Sequence, residues 1–278
     1  MSIRIVTDST ADYPQSIRNR VTIVPLTIHF GDEEFVDGVT ITHKEFYDKL
    51  TSGTVLPTTS QATPEAFDQV FREAAAAGDS VIVITIASQL SGTCQSATIA
   101  AADYPGKVFV VDSQNVAIGA GILVQHALAL VDAGVSAAEI AAELTKQRDR
   151  IRLIAVLDTL EYLKRGGRIS KTVAFAGGLL SIKPVISVQD GVIHSLSKAR
   201  ARQGGEMLLK EIENAGGVDT TMPALLGYTG NSDELLQKFI TDCAARELPL
   251  ANLPYTVIGS VVGTHAGPGA YAVAFFVK

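Results

Sequence analysis

The stretch SVIVITIA, residues 80–87, limits the fold more than any other part of this chain. It is an almost unbroken apolar run rich in β-branched residues. Such a run reads as a strand covered on both faces, the place of a central strand in a parallel sheet. It ends abruptly at Ser88-Gln89-Leu90-Ser91-Gly92-Thr93, and a small-residue segment of helical character follows. Strand, hydroxyl-rich turn and helix form the unit of an open α/β sheet. Ligands of such sheets collect where loops leave the carboxyl ends of the strands.

The same rhythm extends to both sides. IRIVT (3–7), VTIVPLTIHF (21–30), KVFVVD (107–112) and RLIAVLD (152–158) read as strands. THKEFYDKL (42–50) reads as a helix, with Thr42 as N-cap and Glu45 three residues on. A second helix starts at Thr63-Pro64 and stops at Gly78. NVAIGAGILVQHALALVDAG and SAAEIAAELTKQRDRI are two successive helices. This alternation predicts an α/β protein with a mainly parallel sheet in its first part. The rhythm changes after about residue 158. IKPVISVQDGVIHSLSKARAR predicts a hairpin turning at Asp190-Gly191. A helix (203–215), a strand (223–229), a helix (231–246) and strand-like ends (254–261, 271–277) follow. The expected division is an N-terminal α/β domain over 1–157 and a C-terminal α/β domain of different topology over 158–278.

Composition narrows the function classes. Of 278 residues 47% are hydrophobic and 19% charged, which fits a packed protein and not a disordered one. A net charge of −6 offers no general basic surface to nucleic acid. Cys94 and Cys243 have no C-x-x-C spacing, so neither a disulfide framework nor a zinc site is expected. A reducing, cytoplasmic setting is the default. The start MSIRIVTDSTADYP lacks the plan of a signal peptide. The most apolar long stretch, 116–131, is interrupted by Gln125 and His126 and falls short of the roughly 18 apolar residues of a membrane span. The expectation is no membrane span, with room for transient membrane contact.

Three stretches bear candidate chemistry: Pro57-Thr58-Thr59-Ser60-Gln61, the turn 88–93, and Gly263-Thr264-His265-Ala266-Gly267-Pro268-Gly269. Thr59 and Ser60 are equally well read as a loop that starts a helix. Ser91 reads as an N-cap whose oxygen takes the Thr93 or Cys94 amide. A helix start also favours an anion, so capping and binding are compatible. His265 is either a polar turn residue or a ligand group, since the glycines around it let backbone approach closely. A nucleophilic Ser91 paired with His265 is the enzyme rival, an acyl hydrolase or transferase. It lacks a G-x-S-x-G elbow and an identifiable orienting acid. Neither G-x-x-x-x-G-K-[ST] nor G-x-G-x-x-G occurs, which argues against a phosphate loop. Asp8, Ser9 and Asp12 in TDSTAD could hold a metal, but a turn stabilised by their side chains is preferred, and no metal is expected. Lys164, Arg165, Arg168 and Lys171 cluster around Gly166-Gly167, and Lys198, Arg200 and Arg202 alternate after the hairpin. These read as a solvated face or as a dock for an acidic partner or a phosphate.

VTDSTAD, PTTSQATPEAF, SQLSGTCQSA, VVDS, LEYLKRGGRISK, IKPVI and GTHAGPGA occur in an order and spacing that resembles the DegV family of fatty-acid-binding proteins, over 3–277 as one unit. The resemblance implies two α/β domains enclosing an apolar tunnel for one long-chain fatty acid such as palmitate. It implies that Thr59 and Ser91 hold the carboxylate, with His265 near the head group and Ser60, Gly92 and Thr93 beside it. It implies no cofactor besides that fatty acid, no catalytic residue, and a role in lipid transport or fatty-acid metabolism. Some members present the acid to a separate fatty-acid kinase. In those, basic residues matching Arg168 and Arg200 lie near the carboxylate end or the docking face, and Arg202 is grouped with them here. SGTC departs from the pattern, with Cys94 where an aromatic is common. A regulatory module for another amphiphilic carboxylate is the third reading.

Overall fold

The computed structural model describes residues 2–169 and 182–278; Lys171 of the basic cluster lies outside them. The chain begins with β1 (Ile3–Asp8), β2 (Val21–Val24), β3 (Thr27–Phe30), β4 (Glu33–Val36) and α1 (His43–Ser52). The extended run 21–30 is therefore two strands, parted at Pro25, which has no N–H to offer a ladder. Next come β5 (Thr58–Ser60), α2 (Pro64–Ala76), β6 (Ser80–Thr85), α3 (Thr93–Ala101), β7 (Val108–Asp112), α4 (Ala117–Asp132) and α5 (Ala137–Gln147). β8 (Ile151–Val156) and α6 (Glu161–Arg165) lead to the hairpin of β9 (Ile182–Gln189) and β10 (Val192–Arg200). The rest is α7 (Gly204–Asn214), β11 (Leu225–Tyr228), α8 (Glu234–Ala244), β12 (Tyr255–Val257), α9 (Ser260–Ala266) and β13 (Tyr271–Phe276).

Local signals act where they were read. Thr42 and Glu45 close a capping box on α1, and Ser136 and Glu139 close another on α5. Thr63 accepts the Ala66 amide ahead of Pro64. Asp190 and Gly191 have φ of 53° and 75°, the left-handed pair that a two-residue hairpin turn needs.

The first sheet is parallel, in the order β2-β1-β6-β7. The second is six-stranded and mixed, in the order β10-β9-β8-β13-β11-β12. A small antiparallel sheet, β4-β3-β5, sits beside them. β8 pairs with β9 and β13, so the change of sheet falls before Ile151. A division after 157 assigns that strand to the first part of the chain, whereas its ladder partners belong to the second.

Both large sheets bury two faces. Val81 and Val83 of β6 pack towards Phe67 and Phe71 of α2, while Ile82 and Ile84 face α4. In the second sheet Leu153, Ala155, Ala272 and Ala274 face inwards, and Ile154, Val156, Val273 and Phe275 face α7 and α8. Helix α4 lies between the two sheets, touching β1 and β6 on one side and β8, β11 and β13 on the other. Residues Ala117 to Val124 are all buried, which is why this helix is apolar all round instead of along one stripe.

Core packing therefore outweighs capping. Ile82, fully buried in β6, should cost about 2–5 kcal/mol when cut to alanine, and Thr42→Ala about 1 kcal/mol. Urea unfolding monitored by circular dichroism checks this order. Equal losses from the two substitutions would contradict it.

Candidate functional site

A cavity of about 350 Å³ lies between the large sheets. One wall is the inner face of the second sheet. Leu153, Ala155 and Leu157 alternate along and just beyond β8, with Ile186 and Val188 from β9 and Ala270 and Ala272 beside β11. From Leu153 to Leu157 is ~13 Å of extended chain. Ala155 pairs across the ladder with Ala272, and Ala272 with Gly227. Three adjacent strands thus put their smallest side chains in one row. The opposite wall comes from the carboxyl ends of the first sheet and the start of α4: Ile86, Leu90, Val116 and Ala117.

One end of the cavity is polar. Thr59, Ser60, Gln61, Ser91, Gly92, Arg168 and His265 all line it, so residues from four distant stretches meet there. Thr59 and Ser60 are in β5, not in a loop, with Thr59 opposite Ile28 of β3. His265 is on the last turn of α9, although its glycines suggested a loop. Gly263 is tolerated there because Tyr47 and Phe46 pack against it, where a side chain would collide. The start of α9 is held by the Asp12 Oδ1 atom, which accepts the Gly259 amide at 2.9 Å, and by Tyr47 Oη donating to the Ile258 carbonyl at 2.8 Å. Burial pushes the Asp12 carboxyl well above its ordinary range.

The hydrogen-bond pattern gives the hydroxyls a direction. Thr59 Oγ1 is 3.0 Å from His265 Nε2. His265 Nδ1 is buried with no partner among the described residues. Burial, and then the charge of Arg168, push the imidazole down to about 4, so it is neutral at neutral pH. A neutral ring has one N–H, and leaving an acceptor unpaired is more common than leaving a donor so. That places the proton on Nε2, donated to Thr59, and frees the Thr59 hydroxyl hydrogen for the cavity. Ser91 Oγ accepts the Thr93 amide at 3.3 Å and lies 2.9 Å from Thr93 Oγ1. With Thr93 as donor, Ser91 also has its hydrogen free. The capping position itself falls on Gly92, one residue after the expected Ser91.

This arrangement suits an anion better than nucleophilic attack. His265 bonds Thr59, not Ser91, and no carboxylate among the described residues orients the ring. Burial pushes the Cys94 thiol up, away from the reactive thiolate. Asp8 is a structural link: its oxygens accept the Thr10 amide and hydroxyl at 2.9 and 2.5 Å and the Ile86 amide at 2.7 Å. Ser9 Oγ accepts the Leu26 amide at 3.1 Å. The turn reading of TDSTAD thus fits the geometry, and among the described residues no group of three or more His, Cys, Asp or Glu could hold a metal.

Arg168 reaches the polar end and is anchored by the Leu90 carbonyl at 3.2 Å and the Gly166 carbonyl at 2.7 Å. Arg200, exposed at the end of β10, is not among the lining residues, and Arg202 lines a different cavity. Two contributions escaped the sequence reading, and the first is the bond that Gln61 makes. Gln61 donates from Nε2 to Ser96 Oγ at 2.9 Å, tying β5 to α3 beside Gly92. The alanine row is the other, and alanine inside a strand-like run was its only signal.

His265 should titrate near 4, and Arg168→Gln should raise that value by removing the nearby charge. An unfolded histidine titrates near 6.5, so the unfolded chain binds more protons between these values, and stability falls as pH drops from about 6.5 towards 4. Imidazole NMR titration, assigned with His265→Asn, checks this. A value at or above 6.5 in the wild type would refute a buried neutral ring.

A family model described as "Uncharacterised protein, DegV family" matches residues 2–278. A DegV domain-containing protein of Caldanaerobacter subterraneus is 36% identical over 277 residues, covering 98% of each chain. Among solved structures, a DegV family protein of Thermus thermophilus, described by its fatty-acid binding, is 35% identical with a TM-score of 0.89 and covers 100% of both chains. A stearic-acid-binding protein from Eubacterium ventriosum is 28% identical with a TM-score of 0.85, covering 99% of this chain and 97% of its own. No helix among the described residues is long and apolar enough to cross a membrane.

Proposed function

This chain belongs to the DegV family, and we propose that it binds one long-chain fatty acid, with the hydrocarbon in the cavity and the carboxylate at Thr59 and Ser91. The observation that carries the reading is that the Thr59 and Ser91 hydroxyls meet at one end of an apolar cavity. With His265 Nε2 and Thr93 Oγ1 as the donors, both hydroxyls keep a hydrogen for an anion. The apolar wall along β8, β9 and β13 supports a chain rather than a compact ligand.

Energetics divides the labour. Each buried methylene is worth about 0.8 kcal/mol, so the fourteen of palmitate give a gross ~11 kcal/mol. Association and ordering return at least ~4 kcal/mol of it. A hydrogen bond to the charged head adds about 1.5–3 kcal/mol. The tail thus supplies most of the affinity, and Thr59 and Ser91 supply direction and offset desolvation of the carboxylate. Neutral His265 relays polarisation to Thr59 without a fixed salt bridge, which leaves a carboxylate oxygen available to a second protein. We assign Arg168 and Arg200 to the docking face for an acidic partner, with a fatty-acid kinase as that partner, and the role to lipid transport or fatty-acid metabolism in the cytoplasm.

Mass spectrometry of the purified protein should find intact, non-covalent fatty acid. Thr59→Ala with Ser91→Ala should lower its content, and Ala272→Leu should shift it to shorter chains at a stability cost of about 1–3 kcal/mol. Wild-type lipid content in the double variant would refute the head-group assignment, and an acyl adduct on Ser91 would favour the enzyme rival. For the partner, Arg200→Glu should reduce acyl-phosphate formation with a cognate kinase while lipid loading persists. Undiminished acyl phosphate would remove Arg200 from the docking face.

A further inference from the structure

A second cavity, of about 220 Å³, opens on the opposite face of the six-stranded sheet, lined by Val156 and Tyr271. Three cations line it: Lys183 of β9, Arg202 after β10, and Lys238 of α8. Lys183 pairs with Asp158, and Lys238 with Asp242 at 2.8 Å. Arg202 has no carboxylate partner among the described residues. The lining therefore carries one positive charge more than it carries negative ones.

The start of α7 adds to this field. Gly204 and Gly205, its first two residues, line the cavity, and Gln203 before them makes no side-chain cap. The first amides of a helix have no intrahelical acceptor and carry partial positive charge. A Cβ on Gly204 would stand 2.5 Å from Tyr271 Oη, so the phenol is aimed at this helix start. Tyr271 is 7% exposed, and its hydroxyl has no hydrogen-bond partner among the described residues. Burial pushes the phenol up to about 12, so it remains a donor at neutral pH. The ring is buried while the hydroxyl reaches the cavity, and there this donor converges with a helix start and a guanidinium that has no carboxylate partner among the described residues.

We infer that this cavity is a phosphate site, in which Arg202, the Gly204 and Gly205 amides and Tyr271 Oη take the oxygens of a phosphate group, free or on a small phosphomonoester. A tetrahedral oxyanion presents oxygens in all of these directions, whereas a planar carboxylate presents two. Lys183 and Lys238 are neutralised by their own aspartates, so the net positive charge of the lining is that of Arg202. The six-stranded sheet separates this site from the cavity assigned to the fatty acid, and the inference does not depend on that assignment.

The test is titration of inorganic phosphate, and separately of glycerol 3-phosphate, into the full chain at low ionic strength. It is read by the amide signals of Gly204 and Gly205 and the ring signals of Tyr271. Saturable shifts are expected that sodium chloride at equal ionic strength does not produce. A stronger response to glycerol 3-phosphate identifies the monoester as the ligand, and an equal response identifies free phosphate. Arg202→Gln and Tyr271→Phe should each weaken binding about tenfold. Tyr271→Phe keeps the ring packed on Phe239, so a folding defect is not the expected cause. Silent glycine amides at millimolar phosphate, or unchanged affinity in both variants, would overturn the inference. So would Arg202-dependent binding to phosphatidylglycerol vesicles without any response to the soluble phosphates, since the contact would then be with a membrane surface.

Discussion

The separation of the two large sheets by α4 is the constraint on which the other features rest. A helix with its side chains is about 10–12 Å across, and sheets that flank it cannot meet each other. Along α4 the gap is filled by Ile118, Ile122, Leu123 and Val124. At its beginning, where Val116 and Ala117 lie, the filling stops and the cavity opens. The apolar chamber is thus what remains between two sheets propped apart by a helix that does not run their full length. Alanines 155 and 272 deepen it from the sheet side, where larger residues would have closed it. The polar end follows from the same geometry, because the carboxyl ends of β6 and β7 open onto that gap.

Much of the fold was legible. The apolar run 80–87 is the parallel strand it promised, next to β1 in the interior of the first sheet. Thr42, Thr63, Gly78 and Asp190-Gly191 punctuate the chain as their chemistry dictates, since caps and tight turns depend on neighbours a few residues away. Illegible features depended on distant partners. The stretch 263–266 reads as loop by its own composition, yet Phe46, Tyr47 and Asp12 make it part of a helix. β8 looked like the close of the first domain because nothing local reveals that β13 will pair with it.

The candidate site was legible in kind and not in arrangement. Hydroxyls at a strand-to-helix turn announced an anion, and the resemblance to a family supplied the fatty acid. The bond between Thr59 and His265, far apart in sequence, could not be read from either stretch. It changes the meaning of both residues: the imidazole is a neutral prop for a hydroxyl, and the hydroxyl is the group turned to the cavity. Arg168, Arg200 and Arg202 looked alike as basic residues near turns. Their surroundings separate them into a cavity rim, an exposed strand end and a pocket behind the sheet.

The place of β13 in its sheet has a consequence for how such a molecule is made. β13 follows β8, β9, β10 and β11 in the chain, yet it lies between β8 and β11. Until it has left the ribosome, those two strands present open edges, and open apolar edges invite pairing with other chains. α9 immediately precedes β13, so the histidine arrives with the strand that closes the sheet. A nascent chain therefore cannot have a finished pocket on an unfinished sheet: competence to hold a ligand and protection from aggregation are acquired in the same step of synthesis.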